Sequence, residues 1–432
     1  MVKFDLSLLA KVKRVHGVTP SEFKKFEQTV GKYVTAMQSR GQDFLKVLDD
    51  RETLKKIGDF AAKARDRYSD IVVLGIGGSA LGAICLQNAL GKLFEKPAFG
   101  TVRLTVLDNI DPLLLAEFEK SVDLKRTLFL VITKSGGTPE TLAQFLYFKS
   151  LVSAKKLDWL KHFVFITDPR KGLLRDLARK NPGLPVFDVP EKVGGRFSVL
   201  TAVGLLPAAL IGIDVEKLLQ GAAKAAKQAL STDWRRNDAF RLAVTQYLLY
   251  KKGKNIAVFF PYAQKLWKLA DWYRQLLAES IGKEFNRKGK RVNVGITPVP
   301  ALGATDQHSQ NQLYNEGPND KFYLFLEVLK PAIDLKIPFD REWQPKEISY
   351  LKNVSFNRLL QTEMQGTMQA LLKKNRPLAK ISLERLDAEN LGQLLVTLES
   401  SVAFLGELFG IDAFDQPGVE LSKKLTKAML TK

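Results

Sequence analysis

The sequence predicts an α/β protein with two doubly wound parallel sheets and helical segments at both ends. Short β-branched runs alternate with amphipathic stretches, and the alternation occurs in two blocks along the 432 residues. Two of the apolar runs lead straight into loops rich in glycine or hydroxyl groups, as strands that end at a ligand crevice do.

In the first block, residues 71–74 form a strand that stops at Gly75, and a helical pattern starts near Ser79. Residues 103–107 read as a strand, 112–120 as a helix and 127–132 as a strand. A helix over about 139–152 leads to a strand over 162–166. The second block opens after Gly212-Ile213-Asp214 with Ala-rich helical sequence to residue 230. It continues with a helix near 239–250, a strand over 255–260, a helix near 263–281 and a strand near 292–296. A helix starting near Thr305 precedes a strand over 321–328, and the tail reads as mostly helical. The expected organisation is a helical segment over 1–50, α/β domains over 51–211 and 212–415, and a C-terminal helix over 416–432.

Composition narrows the setting. With 45% hydrophobic and 26% charged residues the chain can bury two sizeable cores. A single cysteine, Cys85, excludes an internal disulfide framework and fits a reducing compartment. No run approaches the roughly 20 uninterrupted apolar residues of a membrane span. Met1-Val2-Lys3-Phe4-Asp5 carries charge where a signal peptide has its apolar core. A cytoplasmic location with no membrane partner is therefore expected. The net charge of +20 attracts anions in general. The basic residues are scattered, however, and the densest run, Arg287-Lys288-Gly289-Lys290-Arg291, lacks interleaved aromatics. It reads as solvated surface rather than a nucleic-acid footprint.

Gly75-Ile76-Gly77-Gly78-Ser79 joins a strand to a helix. Its glycines suit either a tight turn or a close backbone approach to an anion at a helix start. It has neither the G-x-G-x-x-G pattern of a dinucleotide site nor a Gly-Lys-Ser/Thr ending. Thr133-Lys134-Ser135-Gly136-Gly137-Thr138-Pro139-Glu140-Thr141 also follows a strand and precedes a helix. Thr133, Ser135 and Thr138 offer hydroxyls and Lys134 an ammonium, although Thr138 also suits a helix cap and Lys134 a surface. Two such loops on one sheet favour a crevice that takes a phosphate.

The acid–base candidates lie elsewhere. Gln275 and Glu279 are four apart near a helix end and so share a face. Taken alone, Glu279 reads as an ion pair with Lys283. Of three histidines, His308 sits in a polar turn, Thr305-Asp306-Gln307-His308-Ser309-Gln310, where a proton-exchanging side chain belongs. Arg196, after Gly194-Gly195, is either an anion clamp or a loop ion pair. No His-x-x-x-His or Cys-x-x-Cys spacing suggests a metal, and no G-x-S-x-G elbow suggests a serine hydrolase.

Together these segments, in this order, resemble the phosphoglucose isomerase family. The most specific are Gly194-Gly195-Arg196-Phe197-Ser198, Glu279-Ser280-x-Gly282-Lys283, the His308 turn, and Gly418-Val419-Glu420-Leu421-Ser422-Lys423. The resemblance implies two sugar-isomerase (SIS-type) domains and aldose–ketose isomerisation of glucose 6-phosphate and fructose 6-phosphate, without a cofactor or metal. It places Ser79, Thr133, Lys134, Ser135 and Thr138 around the substrate phosphate and makes Glu279 the base between C2 and C1. Arg196 would stabilise the enediolate, and His308 with Lys423 would assist ring opening. Gly78, Gly195 and Gln275 would line the sugar. It further implies a homodimer whose active site is shared, with His308 reaching in from the partner. The family has a Thr-Thr pair in the phosphate loop, and here Gly137 takes the place of its first threonine. Alternatives are dual action on mannose 6-phosphate, a non-catalytic sugar-phosphate-binding protein, and a nucleotide-dependent transferase or dehydrogenase that would lack the right glycine pattern.

Overall fold

Continuous apolar runs become central strands, because a parallel sheet is covered on both faces and has no solvent side to alternate toward. The computed structural model describes residues 2–94, 101–338, 342 and 345–431. In chain order its strands are β1 (Val2–Asp5), β2 (Asp70–Leu74), β3 (Arg103–Leu107), β4 (Thr127–Ile132), β5 (Phe163–Thr167) and β6 (Val186–Asp188). They continue as β7 (Ile256–Pro261), β8 (Lys283–Phe285), β9 (Arg291–Val294), β10 (Thr297–Pro300), β11 (Lys321–Val328) and β12 (Leu378–Leu383). The chain divides into two units, Gln38–Ala226 and the combination of Met1–Met37 with Lys227–Lys432.

The unit Gln38–Ala226 holds an all-parallel sheet in the order β3-β2-β4-β5-β6. Every residue of β4 and β5 is buried. An aromatic stack fills one face, with the Phe129 ring 4.9 Å from that of Phe148 and 5.0 Å from that of Phe163. Each fully buried ring contributes roughly 1.5–3 kcal/mol. From β2 the chain goes first to β3 on one side and then to β4 on the other. The loops after β2 and β4 therefore diverge and open a crevice at the carboxyl ends of these strands.

The other unit repeats this plan. Its sheet runs β1-β12-β11-β7-β10, and β7, β10, β11 and β12 connect in the same sequence of positions as β2, β3, β4 and β5. Its switch point lies between β7 and β11. An extended segment, β1, stands ahead of the helical N-terminal stretch and closes the edge antiparallel to β12. The run near 292–296 divides differently from expectation. β9 pairs with β8 in a separate hairpin, and β10 takes the sheet position. Pro298 and Pro300 weaken the strand signal of β10 and are tolerated because it is an edge strand. β12 likewise interrupts a tail that reads as helical.

The helix Ala388–Phe409 is, among the described residues, the one helix long and apolar enough to cross a membrane, and it is mostly buried. It packs against the helices Asp238–Lys251 and Trp267–Ile281 as a core element. Asp387 caps its start by accepting the Asn390 N–H at 2.8 Å, and Gly410 ends it in the left-handed region at φ +69°. The basic run becomes the β8–β9 turn. There Asn286 Oδ1 accepts the N–H groups of Lys288 and Lys290, Arg287 pairs with Glu407 at 2.7 Å, and Arg291 with Glu284 at 3.0 Å.

Candidate active site

The predicted site residues fall into two constellations, one in each unit. In Gln38–Ala226 the loop after β2 tightens into a 3-10 turn, Gly77–Ser79. A Cβ on Gly78 would lie 2.3 Å from the carbonyl carbon of Gly195 and 2.4 Å from its oxygen. Gly78 is thus required by the approach of two backbones. Ser198 Oγ ties the two loops by donating to the carbonyls of Gly195 at 2.6 Å and Gly78 at 3.3 Å. Arg196, between them, is buried. A buried guanidinium must be matched by acceptors or negative charge.

The loop after β4 gathers three hydroxyls. Thr133 Oγ1 lies 2.7 Å from Thr138 Oγ1 and 3.3 Å from Ser135 Oγ, and Ser135 Oγ accepts the Gly137 N–H at 3.3 Å. Thr138 occupies the N-cap position of the helix Pro139–Ala154, yet its side chain makes no capping hydrogen bond. A helix start not capped by its own N-cap side chain, faced by hydroxyls, is a natural anion cradle.

Lys134 behaves differently from its hydroxyl neighbours. Its ammonium donates to the carbonyls of Glu191 at 2.6 Å and Val193 at 2.8 Å, bracing the segment that leads into Gly194-Gly195-Arg196. Burial lowers its pKa, while Asp168 and Glu191 oppose that shift. Sequence reasoning passed over Thr141, in the first turn of the same helix. Its hydroxyl is buried with no hydrogen-bond partner among the described residues. Its spacing of three from Thr138, which puts both on one helical face, was the available signal.

In the other unit the helix Trp267–Ile281 buries Leu269, Trp272, Tyr273, Leu276, Leu277 and Ile281. Gln275 and Glu279 fall on the less buried face, one turn apart. Gln275 Nε2 donates to Glu279 Oε1 at 3.0 Å. Lys283, the partner expected from spacing, donates instead to the main-chain carbonyls of Glu279 at 2.7 Å and Ser280 at 3.0 Å, and lies 3.6 Å from Asp415. It thereby satisfies the carbonyl end of the helix.

His308 is exposed on the short helix Thr305–Ser309. The turn is held around it rather than through it. Asp306 accepts the Leu302 N–H at 2.7 Å, and Gln307 Oε1 accepts the Tyr262 hydroxyl at 2.6 Å and that of Thr367 at 3.1 Å. Lys423 is exposed on the helix Glu420–Leu430 and pairs with Glu420 at 2.9 Å. Among the described residues no group of three or more His, Cys, Asp or Glu side chains is placed to hold a metal ion.

Comparisons with known proteins identify the family. A model of the family described as phosphoglucose isomerase matches residues 28–331 and 353–432. A glucose-6-phosphate isomerase of Carboxydothermus hydrogenoformans is 45% identical over 384 residues, covering 88% of this chain and 82% of that protein. One of Rubrobacter xylanophilus is 39% identical over 99% of this chain and 98% of that protein. Among solved structures, a Thermus thermophilus protein described as hypothetical superposes with a TM-score of 0.87 at 34% identity, with both chains fully covered. A Chlamydia trachomatis glucose-6-phosphate isomerase gives 0.78 at 27% identity, over 88% of this chain and 73% of that one. The chain belongs to the phosphoglucose isomerase family.

Proposed function

We propose that this chain interconverts glucose 6-phosphate and fructose 6-phosphate by proton transfer through an enediolate. The observation that carries the reading is the Gln275–Glu279 contact, which presents an oriented carboxylate on an accessible helix face in a chain of this family. Thr133, Ser135 and Thr138 take the phosphate at the start of the helix Pro139–Ala154, with Ser79 on the neighbouring loop. Lys134 contributes by holding the segment before Gly194. Gly78 and Gly195 leave room for the sugar.

The carboxylate of Glu279 removes the proton from C2 of the open aldose, and the C1 oxygen gains a proton as the enediol forms. Glu279 then returns its proton to C1 while the O2 hydroxyl gives one up, leaving the ketose. Arg196 stabilises the negative charge on the enediolate oxygens. His308 and Lys423 move protons on the ring oxygen and the C1 hydroxyl during ring opening.

The working form is a homodimer in which the partner's copy of the His308 turn completes the site. Two observations support this: His308 is exposed, and the Lys423 helix presents Leu421, Leu425 and Met429 to solvent. A reducing cytoplasmic setting accords with a chain whose one cysteine, Cys85, is buried.

The test is Glu279→Gln, assayed by coupled detection of glucose 6-phosphate formed from fructose 6-phosphate. The variant should keep the circular-dichroism spectrum of the parent and lose at least about 10³-fold in kcat. Turnover near that of the parent would overturn the mechanism, and mannose 6-phosphate in the same assay reports dual specificity.

A further inference from the structure

The repeated topology has a counterpart in the surface. In the unit containing β7–β12, a cavity of ≈ 630 Å³ opens at the carboxyl ends of three adjacent parallel strands. Its walls come from Gln264 and Lys265 after β7, from Lys330 and Pro331 after β11, and from Arg385 and Asp387 after β12. β7 and β11 flank the switch point of this sheet, as β2 and β4 do in the other. The cavity therefore stands where the plan of an open α/β sheet puts a ligand. Its size is that of small-metabolite sites, roughly 300–1,000 Å³.

The lining is cationic. Lys265 and Arg385 form no ion pair among the described residues, and Lys330 pairs with Glu384 at 2.8 Å while remaining well exposed. The one lining carboxylate, Asp387, is engaged by the Asn390 main-chain and side-chain N–H groups at 2.8–3.0 Å. Burial lowers the pKa of Lys265, so an anion beside it would relieve an existing cost. Lysine supplies point charge and arginine a planar fork, a combination suited to phosphate oxygens.

We infer that this crevice is a second anion site that binds a small phosphorylated metabolite through Lys265, Lys330 and Arg385. None of its lining residues is among those assigned above to isomerisation.

Calorimetric titration of the full chain with inorganic pyrophosphate tests this, at about 0.15 M salt to screen loose surface attraction. The expected result is saturable binding, weakened at least tenfold in the Lys265→Ala/Arg385→Ala double variant and also in Arg385→Glu. Turnover of the double variant without pyrophosphate should equal that of the parent. Absence of binding, or an affinity that neither variant changes, would overturn the assignment. Control titrations of Thr138→Val should match the parent, and loss of binding there instead would place the anion in the isomerase site.

Discussion

Gln275 donates its side-chain amide to one carboxylate oxygen of Glu279 across 3.0 Å, one helical turn along the same face. The contact fixes the direction of the carboxylate. Gln275→Ala should lower kcat by about 10–100-fold with a smaller change in KM, because orientation of the base matters most in the transition state. Steady-state kinetics on both variants of the pair would show non-additivity, since Gln275 can act only through an intact Glu279.

The hydroxyl cluster yields a prediction of the opposite kind. Thr138→Val should raise KM for the sugar phosphate about tenfold and change kcat less, since a lost hydrogen bond to a charged group weakens ground and transition states together. Its melting temperature should stay close to that of the parent, because the hydroxyl makes no capping bond. Gly137 has nothing within 4 Å of the position a Cβ would occupy. Gly137→Thr should therefore fold normally and lower KM by a few-fold, through the hydroxyl that the resemblance assigns to this place.

Two neighbouring glycines should respond in contrasting ways. Gly78→Ala forces a methyl to within 2.3 Å of the Gly195 carbonyl carbon, whereas a Cβ on Gly195 meets its nearest neighbour, the Gly78 Cα, at an ordinary 3.9 Å. Gly78→Ala should lower the melting temperature by about 3–10 °C, as overpacking of a rigid contact does. Gly195→Ala should leave it within about 2 °C. Differential scanning calorimetry separates the two.

The pH dependence of stability has a traceable contributor in Glu22. Burial alone would raise its pKa, but hydrogen bonds from Lys252 and Thr19 hold it down to about 2, below its ordinary 4.5. A carboxyl depressed in the folded state stabilises above its unfolded pKa and loses that contribution as pH falls through the folded one. Glu22→Gln should thus melt lower than the parent at pH 7, and the gap should narrow as pH falls from 4.5 toward about 2. Melting curves across that range check the sign.

Much of the architecture was legible because buried parallel strands write themselves as unbroken apolar runs. β3, β4 and β11 fall where the residue pattern puts them, to the residue. β10 escaped because two prolines mask an edge strand. β1 and β12 escaped because four to six residues beside helical patterns carry little periodicity of their own. In the site, the Gln275–Glu279 contact was readable from spacing alone, since a helix fixes which residues meet. The apposition of Gly78 and Gly195 left no local trace, because it arises from two separate loops on the folded sheet. Lys134 shows a further limit: no local pattern signals that its ammonium donates to the carbonyls of Glu191 and Val193, more than fifty residues along the chain.

The pairing of β1 with β12 has a consequence for how the molecule is made. Val2 sits opposite Leu383, so the first strand leaves the ribosome about 380 residues ahead of its neighbour. At the usual 5–20 residues per second, that interval is on the order of 20–80 s. Within it the whole of Gln38–Ala226 emerges and can complete its own sheet. Until β12 emerges, β1 keeps its backbone groups unpaired, as an exposed strand edge does.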